Sequence, residues 1–149
     1  MLNDYYAYIL ISDKKGWNRL CKRNRNGDGT RVFVRKNRVG PVETQKLFFY
    51  IKKPIMQIRG VADFTERLAG DYKELWNTFG AETCFGKFAE YVSFLKGRQT
   101  VTFIRFKNFR ELENPISLNV IRTAVGVARI PRGGKYLSYK TANELIIRR

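Results

Sequence analysis

Hydrophobic and polar residues alternate along several short stretches of the chain, as they do in β-strands. Residues 5–11 are almost all aromatic or aliphatic, and four later stretches have a similar character. Val, Ile, Phe and Tyr favour strands because their side chains pack well on a pleated surface. The pattern therefore predicts strands over residues 5–11, 31–36, 46–52, 55–64 and 100–107.

Apolar residues that recur every three or four positions predict helices. The helix at residues 71–79 is the best marked, because Asp71 can cap its first turn and Gly80 follows its end. The pattern predicts four helices: one that begins after Ser12 or Asp13 and carries Trp17, Leu20 and Cys21 on its apolar face, two over residues 71–79 and 87–96, and one that begins after Ser138.

The order of these elements predicts an α+β fold. A strand and a helix are followed by several strands, two helices, a strand, short strands and a last helix, so the elements do not alternate as in a doubly wound sheet. We therefore expect a mixed or antiparallel, barrel-like sheet. The length of 149 residues fits a single domain over residues 1–149.

Two of the predicted strands place aromatic side chains between cations. Because successive side chains point to opposite faces, residues 31–35 place Phe33 between two arginines, and residues 46–52 place Phe48 and Tyr50 between two lysines. Aromatic faces stack on unpaired bases at about 1–3 kcal/mol each, while flanking cations bind phosphates. The same pattern is typical of strands buried on both sides, so core packing is the alternative.

The positive charge of the chain is concentrated in two blocks. Lys and Arg total 29 against 13 Asp and Glu, and the formal net charge is +16. Residues 14–38 hold ten basic residues and one acid, residues 96–149 hold twelve and three, and residues 43–95 hold seven of each. Crowded like charges repel one another, so the two blocks predict a surface that meets a polyanion.

The composition of the chain excludes several kinds of catalytic and metal-binding site. The chain has no histidine, which excludes Ser-His and Cys-His nucleophile pairs and imidazole metal ligands. Cys21 and Cys84 lie too far apart in the sequence for a zinc motif. No apolar stretch approaches the roughly 20 residues that span a membrane, and the first residues show no signal-peptide pattern. We therefore expect no cofactor, no metal, no membrane partner, and a cytoplasmic location in which both cysteines are thiols.

Two further segments carry candidate chemistry. Asp63 and Glu66 would be the carboxylates of a nuclease, although Glu66 is also explained by pairing with a nearby arginine. Residues 131–136 form a Gly-rich loop in which Arg132 and Lys135 flank two glycines, so its backbone could approach a phosphate. The spacing is not that of a Walker loop, and a tight turn before the last helix is the alternative.

Two segments of the sequence resemble a known family. Residues 28–35, Asp-Gly-Thr-Arg-Val-Phe-Val-Arg, are similar to the turn and strand with a Gly-x-Lys motif in ASCH domains, a branch of the PUA-like superfamily. Residues 97–107 resemble the closing strand of such domains, and the strands predicted between these segments lie where the central barrel strands would be. The chain is thus identified as similar to PUA-like, ASCH/EVE-like domains over residues 5–110, with residues 111–149 as a C-terminal extension.

The resemblance implies a small, mixed, mostly antiparallel β-barrel of the PUA-like type with peripheral helices. It also implies a cleft that binds RNA and in some members reads a modified base. Some ASCH proteins hydrolyse acetylated cytidine with a Lys and a Thr of the first barrel motif. Arg31 and Val34 stand at those places here, and arginine is not a base near neutral pH while valine has no hydroxyl. The resemblance therefore implies binding without that hydrolysis, through Arg31, Phe33 and Arg35.

These observations favour an RNA-binding module, rather than an enzyme, with a basic, aromatic-lined cleft that recognises a modified or flipped base. A hydrolase or nuclease acting on RNA or a modified nucleoside is the first alternative, and a DNA-binding or protein-interaction module is the second. The residues expected to bind nucleic acid are Lys14, Lys15, Arg19, Lys22, Arg23, Arg31, Phe33, Arg35, Lys36, Arg38, Tyr50, Lys52, Arg59, Arg105, Arg132 and Lys135.

Overall fold

A computed structural model describes residues 2–23, 29–36 and 40–148 of the chain. The strands are β1 (Ala7–Ser12), β2 (Arg31–Arg35), β3 (Lys46–Ile51), β4 (Gln57–Asp71), β5 (Thr100–Ser117) and β6 (Lys135–Leu137). The α-helices are α1 (Lys14–Arg23), α2 (Tyr72–Phe79), α3 (Phe88–Leu95), α4 (Leu118–Val125) and α5 (Tyr139–Arg148). Short 3₁₀ turns span Leu2–Tyr5 and Gly80–Glu82.

The six strands form one mixed sheet in the order β2-β5-β4-β3-β1-β6. Only β1 and β3 run parallel, and every other neighbouring pair is antiparallel. The α+β class and the mostly antiparallel sheet are thereby confirmed. Within the described residues no ladder joins β2 to β6, so the closed barrel that we expected is not confirmed.

Strands β4 and β5 are much longer than predicted and form the spine of the sheet. They have 15 and 18 residues, and their pairing shifts register at three places. A β-bulge bends its strand and increases the local twist. The shifts therefore curve the spine, and helix α2 follows directly from the end of β4.

Three clusters of buried apolar side chains hold the fold together. One lies on the sheet face covered by α4 and α5, and a second lies on the opposite face, around Phe49 and with Trp17 of α1. The third lies under α2 and α3, around Tyr91 and Phe103. Strand β3 is buried on both faces, since Phe49 belongs to the second cluster and Tyr50 to the first.

The local signals at the second helix are confirmed. The Asp71 carboxylate accepts hydrogen bonds from the backbone N–H groups of Lys73 and Glu74, at 3.0 and 3.2 Å. This is the N-cap that the sequence indicates, because the first N–H groups of a helix have no partner inside it. Helix α2 accordingly begins at Tyr72, one residue after the cap.

We expected short strands between β5 and the last helix, and β6 is one of them, but helix α4 in the same region was not predicted. Its β-branched residues, such as Val120 and Ile121, favour strands. The Ser117 hydroxyl nevertheless accepts from the Val120 N–H at 3.4 Å, and Gly126 ends the helix in the left-handed conformation. Leu118 and Ile121 are buried on one face of α4, and this burial stabilises the helix.

Gly60 tests how closely α1 packs on β4. A Cβ at this position would lie 2.6 Å from Cη2 of Trp17 and 3.1 Å from Cε1 of Phe109, two buried rings. Gly60→Ala should therefore lower the free energy of unfolding by about 1–3 kcal/mol, because the rings must move. Gly70 lies on the same strand with no atom within 4 Å of its Cβ position, so Gly70→Ala should lower it by less than about 0.5 kcal/mol. Urea unfolding measures both, and equal losses would contradict this packing.

Candidate nucleic-acid interface

A cleft of about 1020 Å³ opens where the end of β1 and the end of β2 face each other. Its lining also includes parts of α1, α3 and α4, the turn after β3, and residues 84–85, 129–130 and 132–133. The cleft has an apolar interior that includes Ile11, Leu20 and Ile130. A concave, partly apolar site with polar groups directed into it is the usual form of a ligand-binding site.

Cations from distant parts of the chain converge on this cleft. Three come from α1 and the end of β2, two from the turn after β3, and three from α4 and the segment before β6. They are Arg19, Arg35, Lys36, Lys52, Lys53, Arg122, Arg129 and Arg132. Among the described lining residues Asp13 is the only acid, and its Oδ1 accepts from the Gly16 N–H at 2.7 Å near the start of α1. The cleft is therefore strongly positive.

Arg35 joins the two ends of the sheet inside the cleft. β6 pairs with only the first three residues of β1, so the edge of β1 is open beyond Ile9. From the end of β2, Arg35 donates through Nη1 to the Ile11 carbonyl at 3.2 Å and through Nη2 to the Arg132 carbonyl at 3.4 Å. A strand edge leaves carbonyl groups without partners, and the guanidinium supplies donors to them.

The charge of Arg35 is poorly compensated. Burial lowers the pKa of this guanidinium, although Tyr8 beside it acts in the opposite direction. Both recorded hydrogen-bond partners are neutral carbonyls, and none of the ion pairs found among the described residues includes Arg35. Arginine stays protonated in proteins, so a half-buried positive charge faces the cleft.

The Gly-rich loop is packed against β1. The Tyr8 hydroxyl donates to the Gly133 carbonyl, and the Gly134 N–H donates to the Pro131 carbonyl at 2.9 Å, which makes a tight turn. Arg132 and Gly133 line the cleft, whereas Lys135 lies in β6 outside the lining. The loop therefore supplies one cation and its backbone to the cleft.

Aromatic residues form part of the cleft wall. Phe33 is half-buried and contacts the ring of Phe49, with centroids 6.1 Å apart, while Tyr50 is 6% exposed. Burial raises the pKa of Tyr50, and Arg122 acts against this rise. Phe85 and Phe94 also line the cleft. The sequence analysis missed them because both lie in the stretch without net charge.

Half of the sequence-predicted binding residues lie outside the lining, and Arg38 lies outside the described residues. Phe33, Tyr50 and Lys52 lie in the lining with Arg19, Arg35, Lys36 and Arg132. The predicted residues that the lining does not include are Lys14, Lys15, Lys22, Arg23, Arg31, Arg59, Arg105 and Lys135.

Some of the cations outside the lining have structural partners instead. Arg105 pairs with Glu66 and with Glu82, the latter at 2.9 Å, and Arg23 donates to the Ala81 carbonyl at 2.6 Å. Lys53, Arg122 and Arg129 are the lining cations that we did not predict. Lys53 adjoins Lys52, which was predicted. Arg122 lies in α4 and Arg129 follows it, and the sequence pattern did not predict this helix.

The carboxylates considered for catalysis lie away from the cleft. Asp63 accepts hydrogen bonds from Lys46 and, at 2.8 Å, from Asn108, beside a smaller cavity of about 200 Å³. Burial acts to raise the pKa of Asp63, but the bonds from Asn108 and Lys46 lower it. Glu66 pairs with Arg105. Within residues 2–23, 29–36 and 40–148, no three Cys, Asp or Glu side chains form a group that could hold a metal ion.

Both cysteines are free thiols in the structure. Cys84 lines the cleft, yet burial raises its pKa to about 11 in spite of Arg23, Arg31 and Arg19 nearby. The nucleophile is the thiolate, so Cys84 is mostly protonated near neutral pH. This thiol therefore behaves as an apolar part of the wall.

The fold is shared with solved structures. The chain matches the crystal structure of ASCH from Zymomonas mobilis with a TM-score of 0.76 and 17% identity, over 97% of this chain and 96% of that one. A serine-to-alanine variant of that protein matches with a TM-score of 0.73 and 15% identity, over 97% of both chains. A tyrosine-to-phenylalanine variant matches with 0.74 and 18%, over 95% of this chain and 96% of that one.

The likeness shows that the chain shares the fold of these ASCH structures, as the sequence resemblance implied. It extends over nearly the whole chain, including most of the region after residue 110 that the resemblance did not explain. No family model matches the sequence, and no curated protein matches it. None of the helices in the described residues has both the length and the apolarity needed to cross a bilayer.

Gly134 tests whether the loop beneath Arg132 depends on close packing. Its φ is +90°, and a Cβ there would meet the Ile9 carbonyl oxygen and the Tyr8 ring, whose Cε1 would be 2.5 Å away. Gly126 has a φ of +79° but open space around it, so Gly126→Ala measures the left-handed backbone alone, at about 1 kcal/mol. Gly134→Ala should cost about 1–3 kcal/mol more, because it also overpacks. Thermal unfolding compares the two, and a similar loss for both would contradict the packing of the loop on β1.

Proposed function

We propose that the chain is an RNA-binding module that holds unpaired RNA in the cleft between β1 and β2. The observation that carries the proposal is the convergence of eight cations, with one acid, on a single concave surface. The two basic blocks of the sequence contribute six of them, and the turn after β3 contributes the other two. A polyanion is the ligand that such a concentration of positive charge attracts.

The half-buried, poorly compensated charge of Arg35 supports the proposal independently of the number of cations. A buried charge without an opposite charge is unfavourable, and a phosphate oxygen close to the guanidinium would remove that cost. Guanidinium groups bind phosphate through paired N–H donors. Nη1 and Nη2 each donate to a carbonyl, and a guanidinium has five N–H donors, so among the described residues donors of Arg35 are left for a phosphate group.

Shape and lining favour RNA with unpaired bases over a regular duplex. Bases in single strands, loops and bulges can enter a cleft and stack on aromatic side chains. Phe33 and Tyr50 lie in the apolar part of the wall, where a flipped or modified base would be read. The ASCH fold fits RNA-binding modules of the PUA-like class in general, and the curved sheet is consistent with an open form of their barrel.

An enzymatic role on RNA, the first alternative from the sequence, would need reacting groups inside the cleft. Asp63 and Glu66 do not serve, because each is already bonded to cations or amides elsewhere in the structure. The second alternative is that the chain binds DNA or a protein partner. No specific contact in the cleft favours DNA or a protein over RNA.

Paired substitutions test the proposal through the salt dependence of binding. Arg35→Gln with Arg132→Gln should weaken binding of a single-stranded RNA by about ten-fold or more, because charge-assisted hydrogen bonds are lost. The slope of log K against log salt should fall by about 0.7 for each lost phosphate contact. Fluorescence anisotropy at several salt concentrations gives both quantities.

The matched control is Arg110→Gln, since Arg110 is exposed and borders the smaller cavity instead. It should change affinity little. Arg132→Gln alone, at an exposed position, covers the case in which Arg35→Gln unfolds the protein. RNA binding that is insensitive to salt, or equal losses for Arg110→Gln and Arg132→Gln, would overturn the proposal. Duplex DNA or heparin competing better than the RNA would point to the second alternative.

A further inference from the structure

A pair of phenylalanines carries two of the cleft cations on their ring faces. The ring centroids of Phe85 and Phe94 lie 5.1 Å apart. The guanidinium carbon of Arg19 lies 5.0 Å from the centroid of Phe85, and Nζ of Lys36 lies 4.7 Å from that of Phe94. All four residues line the cleft. The free cleft thus contains aromatic faces covered by cations.

The two rings differ in how accessible they are. Phe85 is 8% exposed and belongs to the buried cluster under α2 and α3, whereas Phe94 is only partly buried and packs against that cluster. Phe94 therefore lines the cleft, and the flexible side chain of Lys36 lies over its ring. An aromatic face beside phosphate-binding cations is the arrangement on which unpaired bases stack.

Lysine is the cation that can leave such a ring. Its ammonium is strongly hydrated and sits on a flexible four-carbon stem, while the arginine side chain stacks on aromatic faces through a flat group. Lys36 is half-buried at the end of β2, next to Arg35. Because Lys36 follows Arg35 in the chain, a phosphate bound by Arg35 would lie close to the backbone of Lys36.

We propose that Phe94 is a base-stacking residue of the cleft, covered in the free protein by the ammonium group of Lys36. When RNA binds, a base takes the place of the ammonium on the ring, and Lys36 moves to a neighbouring phosphate. This inference rests on the proposed function and adds to it the residue that receives a base. It assigns the stacking role to α3, outside both basic blocks of the sequence.

The test uses a short single-stranded RNA that carries the fluorescent base 2-aminopurine at one position after another, measured with saturating protein. Stacking on an aromatic ring quenches this base, so the native protein should quench at least one position. Phe94→Leu keeps an apolar side chain but removes the ring face. It should abolish that quenching and weaken binding about ten-fold, and Phe94→Tyr should restore both.

Phe88→Leu is the matched control, because Phe88 lies on the same helix, is 39% exposed and does not line the cleft. It should leave quenching and affinity unchanged. Lys36→Ala keeps the test decisive if Phe94→Leu does not fold: it uncovers the ring, so quenching at saturation should persist although one phosphate contact is lost.

The outcomes separate this inference from the function on which it rests. Salt-dependent RNA binding with no quenched position, quenching that survives Phe94→Leu, or quenching that Lys36→Ala removes would overturn the stacking role and leave the RNA-binding proposal intact. Failure of the native protein to bind the RNA at all would overturn both.

Discussion

Arg35 holds together the two ends of a sheet that the described strand ladders leave open. From the last residue of β2 it donates to carbonyls of β1 and of the segment before β6, so groups far apart in sequence share one set of hydrogen bonds. The same guanidinium forms part of the cleft wall. A bonded sheet closure at this point would fill the space that the cleft now occupies. A charged side chain closes the gap and leaves the cleft accessible.

This contact brings together residues from the two basic blocks of the sequence. Arg35 belongs to the first basic block and Arg132 to the second, and a hydrogen bond joins them although like charges repel. The bond runs from a guanidinium to a backbone carbonyl, which tolerates the neighbouring charge. Repulsion between the crowded cations is unfavourable, and a bound polyanion would offset it. The packing of Gly134 on β1 holds the loop that carries Arg132.

Local signals in the sequence predicted much of the fold. Neighbouring residues determine the cap at Asp71, the alternation in β2 and the positions of the strands along the chain. Helix α4 was missed because β-branched residues favour strands, and only its packing on the sheet decides otherwise. Among the cleft residues, Arg19, Arg35 and Arg132 follow from charge clustering. Arg122 and Phe94 do not, because their place depends on how α3 and α4 pack, and Arg105, which has the same charge, pairs with Glu66 and Glu82.

The two basic blocks of the sequence are proposed to form one binding site. NMR of the arginine side chains during titration with single-stranded RNA is the most direct test. The signals of Arg35, Arg132 and Arg122 should shift together along one binding curve, while the signal of Arg110 stays in place. Separate curves for Arg35 and Arg132, or shifts confined to cations outside the cleft, would show that the two blocks do not share a site.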